Sequence, residues 1–133
     1  MAFEVYWDSR EYGRLVLEFS STVTWEDFSA AAQQAHAVAL AARQSITLVI
    51  WAKTPFPDGL ALWHFGVAFR AQPPNIQQTI IIPEKTGPVL TFAKSLAGII
   101  WQVYPAKSPI RFADSMEEAR MLSTTSAVVT NLE

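Results

Sequence analysis

At 133 residues, half of them hydrophobic and only 17% charged, the chain is long enough to bury a core and too apolar to stay disordered. Ten basic and twelve acidic side chains leave a net charge of −2 with no basic block, which removes the long-range attraction to phosphate from which nucleic-acid binding starts. Cysteine is absent, and with it disulfides, thiolate metal sites and cysteine nucleophiles.

Phe3-Glu4-Val5-Tyr6-Trp7-Asp8 alternates and is rich in aromatics, the pattern of a strand. A polar stretch from Asp8 to Gly13 makes a turn, and Arg14 to Phe19 reads as a second strand, so the two form an antiparallel hairpin. Thr24 followed by Glu26 and Asp27 is an acidic variant of the capping box. Behind it Trp25, Phe28, Ala31, Ala32, Ala35, Val38, Ala39 and Ala42 define one buried helical face, with Gln33, Gln34, His36 and Arg43 opposite. Ile46 to Trp51 is a nearly continuous β-branched run, as in a central strand covered on both faces.

Pro55 and Pro57 hold the next segment as a loop, and Leu60 to Arg70 has helical spacing through Leu60, Trp63, Val67 and Phe69. Pro73-Pro74-Asn75 stops that helix, and Ile76 to Ile82 is a fourth strand ended by Pro83. Thr86-Gly87-Pro88 opens a third helix, running to about Tyr104. Ile110-Arg111-Phe112 is a short last strand, and Ser115 with Glu118 caps a final helix. The element order β-β-α-β-α-β-α-β-α predicts an α/β fold with a mostly parallel sheet, an antiparallel edge strand and helices packed against it. One domain is expected over residues 1–122, followed by a loose tail over 123–133. Met1-Ala2-Phe3-Glu4-Val5 lacks the basic and apolar regions of a secretory signal, and no apolar stretch reaches the ~20 residues of a bilayer span. The expected location is the cytoplasm.

This order, with the Thr24-Trp25-Glu26-Asp27-Phe28 helix start and the Phe112-Ala113-Asp114-Ser115-Met116-Glu117-Glu118-Ala119 ending, resembles the STAS domain family and in particular the SpoIIAA-like anti-sigma factor antagonists. The resemblance runs from about Phe3 to Leu122. It implies the SpoIIAA-like fold and a regulatory protein-interaction role. The family carries a D-S-S-G-type turn after the third strand, whose hydroxyl is phosphorylated in the anti-anti-sigma members. Here Asp58 takes the place of its aspartate and is followed by Gly59-Leu60-Ala61, so neither serine is present and the usual phospho-switch is missing. Thr54 is the nearest hydroxyl, but it precedes Pro55 and aligns with no phosphosite of the family. Partner contacts in the family cluster at this turn. The resemblance therefore assigns a partner or ligand surface to Thr54, Phe56, Asp58, Gly59, Trp63 and His64, with Phe56 and an exposed Trp63 as low-entropy anchors.

Catalytic chemistry is not legible. His36 reads as an ordinary surface imidazole, and His64 as bordering a pocket under the proline loop. No third ligand accompanies them, so neither a metal nor another cofactor is expected. Ser95 and Ser108 have no histidine placed by motif, and Gly59, Gly66, Gly87 and Gly98 are isolated. Asp8, Glu18 and Asp58 could converge near strand ends as paired carboxylates, although turn and cap roles explain them better. The helix from Pro88 to Tyr104 is apolar on more than one face through Leu90, Phe92, Leu96, Ile99, Ile100, Trp101 and Val103. That surplus could meet a partner or a second copy, line a cavity, or pack under the final helix, in that order of preference for the first two. The chain is expected to be no enzyme but an interaction module for a protein partner or a homodimer. The alternative is a binding protein for a small apolar or lipid-like ligand.

Overall fold

Alternating and β-branched runs become strands because pleated backbone places their side chains on two faces, each of which must be covered. A computed structural model describes residues 3–21, 23–54, 61–84 and 109–123, with side chains 61, 62, 63 and 65 excluded. The elements are β1 (Phe3–Ser9), β2 (Arg14–Phe19), α1 (Trp25–Ala42), β3 (Ile46–Ala52), α2 (Ala61–Arg70), β4 (Ile76–Ile82) and β5 (Ile110–Phe112). A helix over 116–123, α3, follows. The segment expected to hold the helix from Pro88 to Tyr104 lies outside the described residues.

The strands form one mixed sheet in chain order, β1-β2-β3-β4-β5. β1 pairs antiparallel with β2, and the remaining pairings are parallel. The hairpin turns at Gly13, whose φ of 66° lies in the left-handed region and whose missing Cβ leaves room for the Ser45 carbonyl oxygen. Its own carbonyl accepts from the Thr47 N–H at 2.8 Å, tying the turn to the start of β3.

α1 starts as its sequence dictates. Thr24 accepts from the Asp27 N–H, and the Asp27 carboxylate accepts from the Thr24 N–H, both at 3.0 Å. Arg43 closes the helix in the left-handed region, at φ 53°. The Asn75 side-chain amide then donates to the Ala39 carbonyl at 2.7 Å and to the Gln44 carbonyl at 3.0 Å, pinning this end against the start of β4.

α1 and α2 cover the same face of the sheet. Phe28, Ala31, Ala35, Ala39 and Phe69 pack there on Leu15, Leu17, Phe19, Ile46, Leu48, Ile50 and Ile81. Alanines at the α1 contact let the helix approach the strands closely. The opposite face carries Val16, Val49, Ile80 and Ile82, on which Ala113, just after β5, and Met116 and Ala119 of α3 pack. At the start of α3 the Ser115 hydroxyl accepts from the Glu118 N–H at 3.1 Å. The return bond comes from the Asp114 N–H at 3.3 Å, one residue earlier than a capping box places it. Ser123, expected to open the tail, is instead the last residue of the described helix and is buried.

Candidate functional site

Where α1 and α2 run beside each other, each presents a helical stripe to the other: Trp25, Ser29, Ala32 and His36 on α1, and His64, Val67 and Ala68 on α2, continued by Ala71 just past its end. Between them lies an open groove of about 280 Å³, with Glu26, Phe28 and Gln33 completing its lining. Small side chains on both stripes keep the helices from filling the space themselves.

The Trp25 indole and the His64 imidazole stack nearly parallel, with centroids 4.4 Å apart and planes 9° from each other. Trp25 also meets Phe28 edge-on at 5.5 Å, and Phe28 stacks on Phe19 at 5.9 Å. An aromatic series therefore runs from the β2 core out to the groove wall, fixing Trp25 and His64 at little entropic cost. His36 is half-buried, and burial pushes its imidazole below the ordinary value of 6.5, so the neutral form is favoured. This corrects the reading of His36 as an ordinary surface residue: helical spacing put it opposite the buried face of α1, yet it lines the groove that α1 makes with α2.

His64 lines the groove made with α1, while the proline loop under which a pocket was expected lies outside the described residues. Thr54 stands apart from the groove lining. Its hydroxyl donates to the Ser21 carbonyl at 3.0 Å, joining the end of β3 to the segment after β2. Phe56, Asp58 and Gly59 lie outside the described residues, as do the side chain of Trp63, Ser95 and Ser108.

The carboxylates Asp8 and Glu18 do not converge. Glu18 pairs with Glu4 across the hairpin, and Asp8 lies four residues further along β1, about 13 Å at strand rise. Glu18 accepts from the Tyr6 hydroxyl at 2.7 Å and faces the Lys53 ammonium at 3.4 Å. Burial, and then the Glu18 carboxylate, raise the Tyr6 phenol above its ordinary value, so it serves as a donor. Lys53 lies 4.2 Å from the centroid of the Trp51 ring.

Asp8 sits where the β1–β2 register shifts, between Trp7 and Ser9. One of its oxygens accepts from Arg14 Nε at 2.6 Å and from Arg120 Nε at 3.0 Å, and the other from Arg120 Nη2 at 2.8 Å. Hydrogen bonding to Arg120 is the largest influence holding this carboxyl below its usual range. Both clusters read as structural ties, since each carboxylate is occupied by partners from neighbouring elements.

Among the described residues no three His, Asp or Glu side chains come together as metal ligands, and no helix is long and apolar enough to cross a membrane. No protein-family profile, curated protein or solved structure matches the chain.

The groove was only half legible in advance. Trp25 and Ala32 were assigned to the buried face of α1, and Ser29, Ala68 and Ala71 carry no chemical signal of their own. The available clue was the helical spacing of Trp25, Ser29, Ala32 and His36.

Proposed function

We propose that the chain is a non-catalytic interaction module, a SpoIIAA-like relative without the serine phospho-switch, that takes an apolar segment of a protein partner or of its own twin into the α1–α2 groove. The element order and the antiparallel edge strand on a parallel sheet support the family reading. The observation that carries the functional reading is the groove itself: half open to solvent, predominantly apolar, and walled by the prearranged Trp25–His64 stack. Fixed aromatic walls give a partner side chain something to pack on without ordering the receptor first. An inserted apolar helix or turn is the kind of occupant that such a cleft between two helices accommodates.

A second reading, a small apolar ligand, is favoured by the mainly apolar exposed wall of the groove, on which Ser29, Gln33, His36 and His64 offer a few polar contacts. Shape weighs against it, because pockets for drug-sized ligands enclose most of their occupants and this groove is half open to solvent.

Native mass spectrometry of gently purified protein, beside a Val67→Glu variant, separates these readings. Val67 is 40% exposed and lines the groove, so the new charge enters the site without disturbing the core. A homodimer or a stoichiometric second protein that disappears in Val67→Glu is the expected result. A complex indifferent to the substitution removes the groove from the interface. A monomer carrying a small-molecule adduct replaces the first reading with the second.

A further inference from the structure

We propose that α3 is a releasable strap over the second face of the sheet, latched to the β1–β2 hairpin by the Arg120–Asp8 ion pair. The inference is independent of the groove, which lies on the other face. It starts from how little apolar surface holds α3 down. Within α3 the buried side chains are Met116, Ala119 and Ser123, joined by the partly buried Leu122, so an alanine and a serine make up half of the face that it buries. α1 by contrast buries Phe28 together with four alanines. A short helix with so thin an apolar face depends on its polar ties to remain docked.

The latch is asymmetric. Asp8 is largely buried, its side chain 12% exposed, whereas the Arg120 side chain is 50% exposed. Pulling a lone carboxylate's partner away from a buried position is ordinarily prohibitive, since an uncompensated charge stays behind. Here it does not: Arg14, itself only 8% exposed, remains on Asp8 at 2.6 Å when Arg120 leaves. The departing guanidinium already half faces water. The open state gives up both Arg120 bonds but keeps the Asp8 charge paired with Arg14, so opening leaves no lone buried charge, the condition for a reversible strap rather than a fixed strut. Opening lifts Met116, Ala119 and Leu122 off Val16, Val49, Ile80 and Ile82 while the sheet and the α1/α2 layer stay intact.

Hydrogen exchange on the full chain tests this, comparing amides of 116–123 with those of Ile46–Ala52 in β3. The Arg120→Gln variant is expected to speed α3 exchange by roughly three- to tenfold, the scale of one partly exposed bidentate pair, with β3 unchanged. Raising salt from ~0.1 to ~1 M, which shortens the screening length from about 10 to about 3 Å, should move wild-type α3 the same way and the variant much less. The salt series alone suffices if Arg120→Gln does not fold. The proposal fails if α3 and β3 exchange at one common rate and respond together, which means that the helix opens only when the whole chain unfolds. It fails equally if α3 exchange ignores both the substitution and the salt.

Discussion

Under α1 and α2 the sheet presents Leu15, Leu17, Phe19, Ile46, Leu48 and Ile50, met by Phe28 and Phe69 and by a row of alanines that draws α1 in close. On the other side, the floor under α3 is Val16, Val49, Ile80 and Ile82, bounded on one flank by Asp8, Arg14 and Arg120 and on the other by Tyr6, Glu18 and Lys53. Among the described residues the first layer is held by area and shape, the second by a narrower apolar strip between charge networks. Area-driven packing is not weakened by charge screening and is lost all at once. Charge-tied packing can be loosened locally and tuned by solution conditions.

The sharpest way to break this contrast is to damage both layers equally and compare. Phe28→Ala removes a ring that is 2% exposed and packs on both Phe19 and Trp25, and it should lower global stability in urea by about 3–5 kcal/mol. Gly13→Ala comes next. A Cβ at a positive φ against the Ser45 carbonyl should cost about 2–3 kcal/mol and loosen the hairpin that carries Asp8. Met116→Ala should cost only about 1–2 kcal/mol, below the usual range for a buried methionine, because α3 can open without the sheet. A loss as large as that of Phe28→Ala would erase the distinction between the layers. Thr24→Ala, which deletes the α1 cap, should lower stability by about 1 kcal/mol on the urea curve.

Acid distinguishes the two layers further, because each holds one group whose folded pKa lies below its unfolded value. For His36 the unfolded chain takes up a proton first, so global stability should begin to fall as pH drops below 6.5, and His36→Gln should flatten that slope. Asp8 faces Arg14 from β2 and Arg120 from α3, with Tyr6 beside it on its own strand. Its contribution is full above 3.8 and disappears as pH falls through the lower folded value, so far-ultraviolet dichroism should report the loss of the α3 helix in that range before the sheet melts.

Much of the fold was visible in the residues because its signals are local. β3 and β4 are β-branched runs bounded by a helix on one side and by proline on the other, and their limits were read directly from Ile46 and Ile76. The Thr24 cap and the antiparallel edge strand are equally short-range. The groove was not visible, because it exists only where the Trp25–His36 stripe meets the His64–Ala71 stripe, and nothing in either segment states their distance. The Asp8–Arg120 pair spans the whole chain and depends on a register shift that alternation cannot reveal. Asp8 and Glu18 share a face by parity, yet strand rise holds them at opposite ends of it.

Because the strands lie in the sheet in the order in which they occur in the chain, the molecule can be assembled as it leaves the ribosome. Each new strand finds its neighbour already in place, and none has to thread between two earlier ones. Growth of this kind leaves a moving front. After β3 emerges, its far edge, Ile46 to Ala52, stays unpaired until β4 has been synthesised, and that edge is the most continuous apolar run among the described strands. The interval between those two strands is therefore the moment of greatest exposure to misassociation. Codons that slow translation between them should raise the demand for chaperones more than the same delay placed after β4.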